Sequence, residues 1–290
     1  MSKLTGLFRK QRGSIDDVTF RQVHGQTVVS VKSLNPAQPR TPAQMRNRIC
    51  WRNVQNIWAA FTGTLHPSFE SRPRTWSDAN AFMSANIGRV RVYLTKSLAD
   101  MGAAVVAPYQ ITRGSLPSIH TAEDGTGKIV SNIEIADLEL DETTNISALS
   151  EAIISNNEGW QYGDQISAFM LTQSVNSVTH VPYVTVQAFE ITLSQDAVPI
   201  STLYAQPYPF TNQNGKIGMY AAIDGAVAYV HSRKEASKTR VSTQELVVTS
   251  TVAANYTNAA AYAAALESYG GKTEQPFLTP NIDDELAPQP

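Results

Sequence analysis

With a single cysteine, Cys50, among its 290 residues, this chain can close no internal disulfide and build no multi-cysteine metal centre. Charge is also scarce, at 17% of residues against the ~25% usual for soluble domains. No apolar run reaches the ~18 residues of a membrane-spanning helix, and residues 1–14 lack the apolar stretch of ~7 to 15 residues that a signal peptide needs. The expectation is a protein made in the cytoplasm, without a membrane span, whose surface of Ser, Thr, Asn, Gln and Ala suits burial against neighbours.

Familiar chemical motifs are missing too. Gly271-Lys272-Thr273 suggests a phosphate loop, but Leu266 stands where that motif requires a glycine. His24, His66, His120, His180 and His231 are scattered, and none stands at metal-ligand spacing from another. Cys50 falls within a helical pattern and reads as a small apolar side chain. In Asp137-Leu138-Glu139-Leu140-Asp141-Glu142 the acids alternate with leucine as in a half-buried strand, and the glycine of a calcium loop is missing. No catalytic, cofactor-binding or metal-ligating residues are therefore expected, and no enzymatic activity.

What is present is a lopsided charge distribution. Residues 1–100 hold 15 Lys and Arg against 5 Asp and Glu, while the remaining 190 hold 8 against 20. Such a chain can stack its basic end on the acidic end of a neighbour, or offer the basic end to nucleic acid. The arm residues Arg9, Lys10, Arg12, Phe20 and Arg21 are the candidates for assembly, with contact to packaged DNA as the second possibility.

Local patterning divides the chain into four parts. Residues 1–40 read as an extended arm, with a hairpin of strands 18–23 and 27–31 about His24-Gly25 and a Pro-rich linker behind it. Residues 41–102 read as a helical segment. Thr41 is placed to cap the first helix, Pro42 to open it and Gln44 to complete a capping box, and the core face runs through Ile49, Val54, Ile57, Trp58 and Phe61. A second helix is expected over 77–86.

Residues 103–254 read as β-rich, with strands expected at 128–136, 165–173, 183–193, 217–223, 226–232 and 241–248, and a helix at 145–156. Asp224-Gly225 between two apolar runs predicts a hairpin. Residues 255–290 read as an alanine-rich helix and an extended acidic tail. The expected fold class is α+β, with an antiparallel β-sandwich or barrel as its main body.

One motif goes further. Asn35-Pro36, then Pro39-Arg40-Thr41-Pro42-Ala43-Gln44-Met45-Arg46-Asn47-Arg48, a helix bearing Trp58, and Ala79-Asn80-Ala81-Phe82-Met83-Ser84-Ala85-Asn86 together resemble the signature of an uncharacterised domain family. That family occurs in Bacteroidota and in virion proteins of their phages, crAss-like phages included. Residues 107–117, 226–233 and 241–246 are also similar to it. The resemblance implies a phage virion structural protein of the neck, a tail-barrel ring or the tail hub. Such a subunit would form a homo-oligomeric ring and touch neighbouring neck or tail proteins. The alternative reading is a carbohydrate-binding or adhesion module of a tail or fibre, with Trp160, Tyr162 and Tyr183 as a stacking platform.

Overall fold

The computed structural model describes residues 2–4, 13–15, 17–23, 26–31, 42–61, 69–73, 75–89, 92, 94–204, 208–236, 238–252, 259–260 and 263–264. The chain forms two compact units, Met1–Thr41 and Pro42–Pro290. Among the described residues antiparallel sheets dominate, helices are few, and no sheet closes into a barrel.

The first unit is a sheet rather than an arm with one hairpin. Strands β1 (Ser2–Leu4), β2 (Gly13–Ile15), β3 (Val18–Val23) and β4 (Gln26–Val31) lie in the order β1-β4-β3-β2. The central pair matches the expected hairpin, with Phe20 opposite Val29 and Val18 opposite Val31. The two outer strands, of three residues each, are too short to show a period-2 pattern. Because opposite residues share a face, Val18, Phe20, Thr27, Val29 and Val31 lie together on one side. Thr27 is the one fully buried side chain among the described residues of this sheet, and Val31 is 81% exposed. The Pro-rich linker and Thr41 lie outside the described residues.

The second unit begins with helices α1 (Pro42–Ala60), α2 (Asp78–Asn86) and α3 (Lys96–Asp100). Ser77 caps α2, its hydroxyl accepting from the Asn80 N–H at 3.2 Å. The side chain of Asn86, fully buried, donates to the Gln110 carbonyl and accepts from the Gln110 N–H at 2.9 and 2.8 Å. It thus acts as a strand partner for β5 (Gln110–Thr112). Buried Asn53 donates to the Tyr109 hydroxyl at 2.6 Å, which ties α1 to the same segment.

The β elements continue with β6 (Thr121–Glu123) and β7 (Ile129–Glu134), helix α4 (Ile146–Asn156), and the long strands β8 (Asp164–Val175) and β9 (Pro182–Thr192). They end with β10 (Phe210–Gln213), β11 (Lys216–Met219), β12 (Gly225–Lys234), β13 (Thr239–Val241), β14 (Gln244–Glu245) and β15 (Val247–Val248). One sheet has the order β13-β12-β8-β9, with β15 also on β12, and another the order β10-β11-β7-β6.

Both faces of the β8–β12 pair are buried, and the period of two sorts their side chains. Phe169, Leu171, Ala226, Ala228 and Val230 enter one apolar cluster together with Val54, Ile57, Phe61 and Phe82 from the helices. Ile166, Ala168, Val227 and Tyr229 enter a second cluster with β7, β10, β11 and α4. Residue 102 is therefore not a break in the core, because α1 and α2 share a cluster with β8 and β12.

Three local expectations are corrected. Asp224-Gly225 makes no hairpin, since the strands on either side of it, β11 and β12, belong to different sheets. Gly225 is needed for close approach instead, because a Cβ there would stand 1.8 Å from the Leu171 carbonyl oxygen. The tight hairpin is at Asn214-Gly215 between β10 and β11, where φ is +54° and +82° as a type I′ turn requires. Residues 137–142 form no strand, because Asp141 turns the chain by accepting from Thr143 and Thr144. The single strand expected at 241–248 is broken into three short ones. Of the expected C-terminal helix, residues 259–260 and 263–264 are helical, and the rest, with the tail, lies outside the described residues.

Candidate functional site

The assembly residues inferred from sequence are only partly in view. Arg9, Lys10 and Arg12 lie outside the described residues, while Phe20 is half-buried and Arg21 exposed on β3. On α1 and just after it, Val54, Ile57 and Phe61 are buried, but Trp58 is only partly so, its ring centroid 5.2 Å from that of Phe82. Ile49 is helical in backbone, and its side chain, like that of Cys50, lies outside the described residues. Trp160, Tyr162 and Tyr183 do not form a common platform. Tyr162 precedes β8, whereas Tyr183 pairs with Ser174 at the far end of the same strand.

The chemistry that the fold does gather lies at one end of the β8–β12 pair. Val227, Tyr229, His231 and Arg233 alternate along one face of β12, and in the antiparallel register Arg233 stands opposite Asp164. The apolar stripe therefore ends in a histidine and an arginine beside an aspartate. The Asp164 carboxylate is fully buried and receives Arg233 Nε at 2.6 Å, Arg233 Nη2 at 2.7 Å, His231 Nε2 at 2.9 Å and the Gln161 N–H at 3.1 Å. Arg233 Nη2 also donates to the Gly159 carbonyl at 2.6 Å, which fixes the loop between α4 and β8. Trp160, on that loop, stacks on His231 with ring centroids 3.9 Å apart and planes 14° from parallel.

Electrostatics follow from this arrangement. Burial opposes the charge on Asp164, but hydrogen bonds from Arg233, the Gln161 N–H and His231 outweigh it, and the carboxyl is held below its ordinary value. For His231 burial prevails over the attraction of Asp164, and the imidazole is pushed below 6.5 and is neutral at pH 7. An ionised carboxylate only accepts, so Nε2 carries the proton and Nδ1 is left as an acceptor. Nδ1 has no hydrogen-bond partner among the described residues.

His231 and Trp160 line a cleft of about 330 Å³, completed by residues 117–119 after β5, 132–134 on β7 and 156–159 at the end of α4 and beyond it. The volume is within the range of small-molecule sites, ~300 to 1,000 Å³. No Lys or Arg is among its lining residues, and the Glu134 and Glu158 carboxylates make no hydrogen bond or ion pair among the described residues. A larger hollow of about 550 Å³ by Glu123, Asp124 and Asp224 is chemically spent. Its carboxylates are taken by Ser250, by Thr126 with the Lys128 N–H, and by Thr251.

No protein-family model, curated protein or solved structure matches this chain. The geometry must speak for itself. Sequence reasoning passed over His231, Asp164 and Arg233 as a group. The alternation Val227, Tyr229, His231, Arg233 was a usable signal for His231 and Arg233. Nothing local pointed to Asp164, which is 67 residues from His231. Among the described residues no group of three His, Cys, Asp or Glu is placed to hold a metal ion.

Proposed function

We propose that the chain is a structural subunit of a bacteriophage particle, in the neck, a tail-barrel ring or the tail hub. In this reading it assembles with copies of itself through the Met1–Thr41 sheet. The observation that carries it is the exposure of that sheet. Among the described side chains of its apolar face, Val18, Phe20, Val29 and Val31, none is fully buried, whereas a small sheet needs a covered apolar face to persist in water. The sequence motif at residues 35–48 and 79–86 supports the phage placement by resemblance.

Charge selects a second copy as the partner. Residues 1–41 hold seven Lys and Arg against two Asp, and residues 42–290 hold 16 against 23. No Lys or Arg occurs between Lys128 and Lys216, and Asp137, Glu139, Asp141, Glu142 and Glu151 in that span are all exposed. The basic segment 1–41 of one copy set against this acidic surface of the next makes a heterologous contact, which closes into a ring when the rotation allows.

Electron microscopy and light scattering of the purified protein test the reading. The full chain should give rings, and removal of residues 1–41 should leave a folded monomer. A truncated chain that still forms full rings refutes it. Assembly should weaken between ~0.05 and ~0.5 M salt, as the Debye length contracts from ~14 to ~4 Å.

A further inference from the structure

The Trp160–His231 cleft has features that an assembly role does not use. Its inner end carries a buried polar side chain with unused bonding capacity, since the His231 side chain is 3% exposed, lines the cleft and leaves Nδ1 unpartnered. That end is also electrically neutral, because the Arg233 guanidinium cancels the Asp164 charge through two hydrogen bonds. Farther out come the exposed Ser118 hydroxyl, Asn132 Nδ2 and Asn156 Oδ1, whose companion amide atoms bond the His120 N–H and the Ala152 carbonyl, and the Glu134 and Glu158 carboxylates, unpaired among the described residues. Apolar surface comes from Trp160, Pro117, Ile119 and Ile133.

Each class of ligand meets a different reception here. A phosphate or carboxylate finds no cation among the lining residues and two carboxylates against it. A metal ion lacks a set of three ligands. A compact organic cation would find its counter-charges on exposed side chains, Glu134 and Glu158, and none at the buried end. A polyhydroxylated ring fits throughout. One hydroxyl can donate to His231 Nδ1, others can donate to the two carboxylates or exchange bonds with the amides, and the C–H face can lie on the indole.

We propose that this cleft is a binding site for a neutral saccharide of one or two rings in contact, with Trp160 as the stacking surface and His231 as the innermost acceptor. The site lies wholly within the second unit and does not depend on the assembly reading. It narrows the stacking role from three aromatic residues to Trp160, because neither Tyr162 nor Tyr183 lines the cleft.

Titrating the full chain with cello-, malto-, chito- and manno-oligosaccharides, followed by saturation-transfer NMR, tests this directly. At least one series should bind with a Kd of ~1 mM or tighter, and Trp160→Ala should weaken it by ~10-fold or more. Glu134→Gln and Glu158→Gln each alter an exposed side chain. They should weaken binding severalfold without changing the circular dichroism spectrum, so they decide the matter if Trp160→Ala does not fold. The proposal is overturned if no series binds at ~10 mM, or if binding is unchanged in the folded variants. It is equally overturned if tetramethylammonium or inorganic phosphate occupies the cleft in place of every saccharide.

Discussion

The two β-sheets that share this chain's simplest pattern, alternating apolar residues in antiparallel pairs, end in opposite circumstances. In the β8–β12 pair both faces are covered, with Phe169 and Leu171 on one side and Ile166 and Tyr229 on the other. In the β3–β4 pair one face is apolar, yet Phe20 and Val29 are only half-buried and Val31 is exposed. The antiparallel register between the two strands is continuous in both cases. The difference lies in what covers the side chains, and burial rather than pairing supplies most of the stabilisation.

The sharpest way to break this comparison is to truncate one phenylalanine in each sheet. Phe169→Ala removes a fully buried ring that meets Phe61 at 5.9 Å, and should cost ~3 to 5 kcal/mol in chemical denaturation. Phe20→Ala should leave the melting of the second unit unchanged and weaken assembly instead. Equal losses of stability in the two variants would mean that the first sheet is as well covered as the second.

Two glycines sharpen the contrast between a close approach and a turn. Gly225→Ala drives a Cβ into the Leu171 backbone and should cost ~3 kcal/mol or more. Gly215→Ala has room, its nearest neighbour lying 3.7 Å away, and should cost only the ~1 to 2 kcal/mol of a left-handed backbone. Thermal denaturation that reverses this order would restore Asp224-Gly225 as the turn.

The polar end of the β8–β12 face should make stability depend on pH in two steps. Both folded pKa values are depressed, so below 6.5 for His231, and again below 3.8 for Asp164, the unfolded chain binds a proton that the folded chain does not. Stability should therefore be full above pH 6.5, fall as the pH drops below it, and fall further below 3.8. His231→Gln should remove the upper step. A melting temperature that is flat from pH 7 to 5 in the unmodified chain would contradict the burial of a neutral imidazole.

The smallest effect concerns the next residue along the same stripe. The Tyr229 hydroxyl is buried without a hydrogen-bond partner among the described residues, and burial raises its pKa well above 10. Tyr229→Phe removes an unsatisfied group while keeping the ring beside Phe210, so it should be neutral or stabilising by up to ~1 kcal/mol. A loss of stability would reveal a partner for that hydroxyl.

Much of the secondary structure was legible from local chemistry. Pro42 marked the start of α1, the stretch from Ser77 to Asn86 marked α2, and period-two runs located β7, β8, β9 and β12 to within a few residues. Asn214-Gly215 was an equally readable turn signal, since its two residues must take positive φ. The candidate site was far less legible, because Trp160 and His231 become stacked partners only when the loop after α4 folds over the end of β12.

By itself, then, the amino-acid sequence determined where the longer helices and strands lie, which residues alternate between faces along them, and how charge divides along the chain, since each depends on neighbours a few positions away. Only the tertiary structure decided that Gly225 serves an approach rather than a turn, that β11 and β12 part into different sheets, and that Asp164 meets His231 and Arg233. Those outcomes turn on strand register, which brings side chains 67 and 69 residues apart onto one face and is set by the packing of two cores rather than by any short segment.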